Sequence, residues 1–177
     1  HKTPYLNMPF FVVRLVIFFG AWIFFAKKIV GNSLKQDSTG EVSLTERNVN
    51  LSIGFIVMFA LTYSLFSVDL LMSMATNWFS TMFGVYCFAG LFQSTMAVMI
   101  IVILHLKKKG YLKDYVTMDH VHDLGKYLFA FTVFWAYVAF SQFMLIWYAN
   151  LPEETFYYLM RGQGGWLYVT MSLLIFK

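Results

Sequence analysis

Four long apolar segments, separated by shorter polar stretches, dominate the pattern of hydrophobic and polar positions along the chain. They cover about residues 9–26, 49–74, 78–104 and 124–147, and a fifth begins at Trp166 and runs to residue 177. An α-helix of about 20 apolar residues crosses the hydrocarbon core of a bilayer. The pattern therefore predicts an all-α polytopic membrane protein: a single transmembrane domain with a four-helix bundle and the start of a fifth span.

Composition supports this class of protein. Hydrophobic residues make up 59% of the chain and aromatic residues 20%, and the mean hydropathy is +0.64. Only 12% of the residues are charged, against about 25% in an ordinary soluble domain. The basic residues lie beside apolar spans rather than in one patch, so we expect no nucleic-acid partner.

The two ends of the sequence indicate a fragment. The chain starts at His1 without an initiator Met or the pattern of a signal peptide. The fifth apolar segment stops after about twelve residues, which is too few to span a bilayer. We therefore expect this sequence to be an internal piece of a larger polytopic subunit.

The sequence offers few ligands for a cofactor. Cys87 is the single cysteine and lies inside the third predicted span. That excludes a disulfide, a CxxC zinc site, a cysteine-ligated iron–sulfur cluster and a c-type haem site within this chain. No two histidines face each other mid-membrane, and no lysine lies inside a span. We therefore expect no metal, b-type haem or retinal here.

The distribution of basic residues predicts the orientation in the membrane. Cytoplasmic loops carry the excess of Lys and Arg. The basic residues on one face are Lys27, Lys28, Lys35, Arg47, Lys107, Lys108, Lys109, Lys113 and Lys126, whereas the opposite face has Lys2 and Arg161. We therefore expect the Lys-rich loops on the cytoplasmic side of the membrane. The "NLPEET" loop and the Asp69 end of span two then lie on the outer side.

Two charged residues lie inside predicted spans. Asp69 is about eighteen residues into span two, about 27 Å along the helix, and shares a face with Thr62 and Ser73. Ionisable residues inside spans usually face the bundle interior and serve function, although Asp69 also lies close to the end of the span. Arg14 either reaches the outer headgroups by snorkelling or is the counter-ion of Asp69 or of a polar head group.

Three helix starts can be predicted from local sequence. Ser43 and Glu46 have the spacing of a capping box for span two. Asp119 or Asp123 is predicted to be the N-cap of span four. Pro152 suits the first turn of a short aromatic interfacial helix.

The "MDHVHDLGK" segment places His120 and His122 between two aspartates. The spacing alone is a weak indication of a metal site. Histidines titrate near neutral pH. We therefore favour the interpretation that these residues collect protons at the cytoplasmic entrance of a proton path.

Glu153 and Glu154 follow Pro152 in the first turn of the predicted interfacial helix, where a carboxylate is stabilised by the helix dipole. Adjacent helical residues diverge by about 100° and cannot face one partner. We expect one glutamate to point toward the bundle near Tyr148, as a proton exit or an anchor for a partner. The other should point outward.

Three stretches, "HKTPYLNMPFFVVR", "HVHDLGKYLFAF" and "SQFMLIWYANLPEET", closely resemble the NrfD or polysulfide-reductase type of membrane subunit. The resemblance covers nearly the whole chain and is closest to the ActF-type subunits of alternative complex III, a bacterial quinol:cytochrome c (or other acceptor) oxidoreductase. It implies two four-helix bundles per subunit and no prosthetic group in this one. Menaquinol or ubiquinol is the implied substrate of the complex. The implied partners are a sister NrfD-like subunit and periplasmic multihaem cytochrome c and iron–sulfur subunits.

The resemblance also implies proton-conducting polar half-channels within the bundles. The residue types that fit such a channel here are Asp69, Tyr63, Ser67 and Ser141. A complete quinol site does not match residue by residue and is better assigned to the sister subunit. Two rivals remain: a subunit that itself oxidises quinol, with Asp69, Arg14 and His1 around the head group, and a secondary transporter.

Overall fold

The fold is known from a computed structural model, which describes residues 5, 7–75, 78–112 and 115–176, the last three by their backbone only. Within these ranges the secondary structure is entirely helical, which confirms the all-α class. The helices are α1 (Met8–Thr39), α2 (Ser43–Leu70), α3 (Phe83–Lys108), α4 (Met118–Ala149), α5 (Pro152–Arg161) and α6 (Gly165–Phe176), with a 3₁₀ turn at Met72–Met74. The first four are long and apolar enough to cross a membrane.

The surfaces of these four helices are those of a membrane protein. Between 6% and 22% of the residues in their most apolar stretches are buried within the protein. Large apolar side chains such as Val16, Ile56, Ile101 and Leu145 are 65–68% exposed. Lipid covers such side chains at no cost, and each helix satisfies its own backbone hydrogen bonds, as a membrane interior requires.

The chain divides into two compact units, His1–Ser73 and Met74–Lys177. In the first unit, α1 and α2 form an antiparallel hairpin. Side chains near the start of α1 bond to the end of α2, as between Arg14 and Asp69, and those near the end of α1 bond to the start of α2, as between Gln36 and Thr45.

The hairpin is longer than the predicted spans. The predicted polar loop after residue 26 is wrong, because α1 continues as a helix to Thr39. Gly40 then ends it with φ +69°, a left-handed conformation that glycine adopts without steric cost, and its N–H donates to the Gln36 carbonyl at 2.8 Å. Only residues 40–42 connect the two helices, so the hairpin extends beyond the apolar segments.

In the second unit, α3 and α4 are also antiparallel. The ring of Phe92 lies 4.0 Å from that of Phe131, and Tyr86 lies 5.2 Å from Trp135. Ala89 is completely buried in this unit, where its small side chain permits close packing. The helix α3 begins at Phe83, five residues after the start of the predicted third span.

Two of the three predicted helix starts are corrected. The N-cap of α2 is Val42, with no side-chain capping bond, so Ser43 is already the first helical residue and the predicted capping box is wrong. The N-cap of α4 is Thr117 rather than an aspartate, and its N–H donates to Nδ1 of His120 at 3.1 Å. Pro152 does begin α5, as predicted.

Candidate functional site

A buried ion pair joins the two helices of the first unit. Nε of Arg14 donates to Oδ2 of Asp69 at 2.7 Å. The two side chains are 10% and 1% exposed. Asp69 therefore lies in the protein interior, as predicted, and of the alternatives for Arg14 the structure shows the one in which it is the counter-ion of Asp69.

The positions of the two charges explain why they need each other. Asp69 is in the last turn of α2, where the helix dipole disfavours a carboxylate. Arg14 lies in the second turn of α1, close to the positive end of that helix. Burying either ion alone would cost several kcal/mol. Each charge is therefore tolerated in the protein interior only while the other is present.

Aromatic groups surround the guanidinium of Arg14. Its central carbon lies 4.0 Å from the centre of the Tyr5 ring and 4.5 Å from that of Phe10, and its Nη1 donates to the Tyr5 carbonyl at 2.9 Å. Burial and the nearby Asp69 carboxylate raise the pKa of Tyr5 above its usual value of 10.0. Cation–π contacts of this kind stabilise a desolvated guanidinium.

The pair keeps hydrogen-bonding capacity for a further polar group. Nη2 of Arg14 and Oδ1 of Asp69 are buried and have no hydrogen-bond partner among the residues that the structure describes. One is a donor and the other an acceptor. The arrangement therefore leaves one donor and one acceptor of the pair for a further polar group such as a hydroxyl.

Further polar contacts hold the hairpin together along its length. Nε1 of Trp22 donates to Oγ1 of Thr62 at 2.9 Å, and the amides of Asn32 and Asn48 bond at 2.9 Å. Sequence reasoning did not identify the pairs Trp22–Thr62, Asn32–Asn48 and Gln36–Thr45, because each joins residues on different helices whose register no local pattern gives.

The other half-channel candidates of the first unit lie along α2. Tyr63 stacks between Phe59 and Phe66, at 5.2 Å and 6.0 Å between ring centres. Ser67 is completely buried and its hydroxyl donates to the Ser64 carbonyl at 2.8 Å. Both lie on the same helix as Asp69, nearer the middle of α2. Arg14 and Tyr5 are the contacts of the Asp69 carboxylate that the described part of the chain shows.

The candidates of the second unit do not gather at one point. Ser141 is half-buried on α4, whereas Tyr148 is 84% exposed near the end of that helix. Glu153 is exposed and Glu154 half-buried in the first turn of α5. The two glutamates therefore differ in burial, and the expectation that one of them points toward the bundle near Tyr148 stays a prediction.

The histidines occupy the start of α4. The Nδ1 atom of His120 accepts the Thr117 N–H, and His122 is exposed beside Lys126 and Asp123, which form an ion pair at 2.7 Å. His120 thus has a structural role that the sequence reading did not give it. Within the described ranges, no group of three or more His, Cys, Asp or Glu residues is placed to hold a metal ion. His1, Lys2 and Lys113 lie outside the described residues.

Nothing in the sequence indicates a stack of three side chains in the second unit. The stack lies at the end of that unit that is predicted to be periplasmic. The ring of Tyr157 lies flat on that of Trp78, 3.7 Å away, and the guanidinium of Arg161 lies 3.5 Å from the Tyr157 ring centre. Burial raises the pKa of Tyr157, although Arg161 acts in the opposite direction. The stack fixes α5 against the segment before α3.

No protein-family model and no curated protein matches this chain. The fold and the site define a multi-pass membrane protein with a buried arginine–aspartate pair near the ends of its first two spans.

Proposed function

We propose that this chain is a membrane subunit of a respiratory quinol:electron-acceptor oxidoreductase. In this proposal it is an NrfD or polysulfide-reductase type of membrane subunit from alternative complex III, and it most resembles the ActF-type subunits. The three sequence stretches quoted above support the family, and four membrane-length helices agree with it. The chain would lie in a bacterial inner membrane, with its Lys-rich segments cytoplasmic and the "NLPEET" loop periplasmic.

The observation that carries a role in proton transfer is the Arg14–Asp69 pair. A carboxylate that is 1% exposed, with one oxygen that has no hydrogen-bond partner among the described residues, offers a site where a proton can be taken up. In this proposal Asp69 is a step in a polar half-channel, with Tyr63 and Ser67 deeper along α2.

The partners in this proposal are a sister NrfD-like subunit, which binds menaquinol or ubiquinol, and periplasmic subunits with haem c and iron–sulfur clusters. The present subunit anchors the periplasmic subunits and holds no redox group itself. The half-buried Glu154 and the exposed Glu153 at the start of α5 are its proposed points of contact or proton exit.

Purification from native membranes tests the assignment. A tag on this chain should recover multihaem cytochrome and iron–sulfur subunits, and the sample should show the absorbance bands of c-type haem and oxidise quinol. Recovery of the chain without any redox subunit would contradict the proposal.

A second candidate is a subunit that itself binds quinol, and the aromatic surroundings of Arg14 favour it. The rings of Tyr5 and Phe10 and the unbonded donor and acceptor of the ion pair suit a flat ring with hydroxyl groups. A photoreactive quinone that labels this chain rather than its sister would distinguish the two candidates. A transporter is less favoured, because α1 to α4 run without the mid-membrane breaks that substrate sites require.

A further inference from the structure

Tyr5, which precedes α1, contacts both members of the buried ion pair. Its carbonyl accepts a hydrogen bond from Nη1 of Arg14 at 2.9 Å, and its ring centre lies 4.0 Å from the central carbon of the guanidinium. Burial, the Asp69 carboxylate and a hydrogen bond to that carboxylate raise the pKa of Tyr5, while Arg14 lowers it. One residue outside the helices thus interacts with the arginine and with the aspartate.

Local contacts fix the position of Tyr5. The Phe10 ring meets the Tyr5 ring edge-on, with 6.0 Å between the ring centres. Asn7 is the N-cap of α1, and its side chain accepts the N–H of Phe10 at 2.8 Å, which sets where the helix begins. The chain therefore enters α1 from a defined direction, with the Tyr5 ring between Arg14 and Phe10.

Two hydrogen bonds determine how the guanidinium of Arg14 is oriented. Its Nε donates to Oδ2 of Asp69 at 2.7 Å and its Nη1 donates to the Tyr5 carbonyl at 2.9 Å. The group is planar and its N–H bonds have fixed directions. Two acceptors on different residues therefore hold it in one plane, and Tyr5 supplies one of them.

The exposure of these residues shows how Tyr5 affects the pair. Tyr5 is 43% exposed, whereas the side chains of Arg14 and Asp69 are 10% and 1% exposed. A ring centre 4.0 Å from the guanidinium carbon is in van der Waals contact with it, so no water molecule fits between them. Tyr5 consequently has one side on the pair and the other side at the protein surface.

We infer that Tyr5 is a positioning residue that shields the Arg14–Asp69 pair from water at the end of the hairpin predicted to face outward. The inference rests on the proposed role of Asp69 in proton transfer, and it adds what controls access to that residue. While the ring lies on Arg14, this side of the pair is closed. A proton passes between Asp69 and the outer surface when the ring moves aside. Excluding water in this way prevents proton leakage.

Carboxyl labelling tests the shield. A hydrophilic carbodiimide and an amine are added to right-side-out vesicles of the native membrane, and mass spectrometry of the peptides gives the rate of amide formation at Asp69. Tyr5→Ala should raise that rate about fivefold, the shift that loss of a cation–π contact at a partly exposed site produces. Tyr5→Phe keeps the ring and should be labelled at the wild-type rate.

Phe19→Ala is the matched control. Phe19 is 46% exposed, close to the 43% of Tyr5, and its ring lies 5.7 Å from that of Phe66 in the same hairpin. Removing this ring should leave the labelling rate at Asp69 unchanged. Labelling of Glu153, which is exposed, should be equal in all variants and calibrates the reagent.

An unchanged rate in Tyr5→Ala would overturn the inference, as would an equal increase in Phe19→Ala or in Tyr5→Phe. If Tyr5→Ala is not recovered in the membrane, Tyr5→Leu, which also lacks the aromatic face, carries the same expectation. The measurement needs no quinol turnover. Unchanged labelling would therefore reject the shield and leave the proton-transfer proposal standing, whereas a complex without proton movement would leave the labelling result intact.

Discussion

Arg14 and Asp69, 55 positions apart in the sequence, are joined by a 2.7 Å hydrogen bond inside the first helical hairpin. The bond ties the beginning of α1 to the end of α2, so it reports the register of the hairpin. Both groups are charged and nearly inaccessible, in a chain where 12% of residues are charged. The same pair therefore contributes to the fold and is the centre of the proposed proton path.

Breaking the pair on one side should be more harmful than removing it. Asp69→Asn leaves Arg14 buried without a counter-charge and should lower the free energy of unfolding by about 3–5 kcal/mol. The double variant Arg14→Gln/Asp69→Asn removes both charges and should recover most of that loss. Thermal unfolding of the purified variants in one detergent measures both. If the single and double variants unfold together, the charges are not coupled as the structure shows.

The Trp22–Thr62 bond should make a small, measurable contribution to the hairpin. Thr62→Val removes the acceptor at 2.9 Å and should lower the free energy of unfolding by about 0.6 kcal/mol, the average for hydrogen bonds between membrane helices. Thr95→Val is the control, since Thr95 is exposed and its hydroxyl donates to the Leu91 carbonyl of its own helix. Equal losses in the two variants would assign the effect to threonine itself.

Topology can be tested by labelling. In a Cys87→Ala background, a cysteine at Lys109 should resist an impermeant thiol reagent added to intact cells, because residues 107–113 are predicted to be cytoplasmic. A cysteine at Glu153, which is exposed, should react under the same conditions. The reverse labelling pattern would refute the orientation derived from the basic residues.

The two glutamates of α5 should respond unequally to substitution. Glu154→Gln, at the half-buried position, should reduce turnover or assembly of the complex. Glu153→Gln, at the exposed position, should lower the stability of the helix by no more than the roughly 0.3–1 kcal/mol of a helix-dipole contact. Quinol oxidation and subunit recovery measure both effects. Two silent variants would mean that the glutamates only start the helix.

The membrane class, the long helices and the interior position of Asp69 could be predicted because each depends on the local run of apolar residues. The start of α5 could be predicted because Pro152 favours the first turn of a helix. Cap positions were harder: moving the start of α2 by one residue turned Ser43 from an N-cap into a helical residue. A one-residue error of this kind cannot be avoided when hydroxyl and acidic residues crowd a helix start.

Contacts between distant residues could not be predicted. The stack of Tyr157 on Trp78 joins residues nearly 80 positions apart, and nothing near either residue indicates the other. The extension of α1 beyond residue 26 was missed for a different reason. Its polar sequence is typical of a loop, and the bonds to Asn48 and Thr45 that accompany the helix come from α2.

Proton movement in the reconstituted complex is the direct test of a proton-transfer role for the Arg14–Asp69 pair. The measurement compares quinol-driven proton movement across proteoliposomes for the wild type and for Arg14→Gln/Asp69→Asn, whose fold the neutral pair preserves. We expect the double variant to keep its haem content and subunits. Its turnover-coupled proton movement should fall about a hundredfold, the lower end of what a positioned proton-transfer group contributes. Proton movement and quinol oxidation at the wild-type rate in an assembled double variant would contradict it.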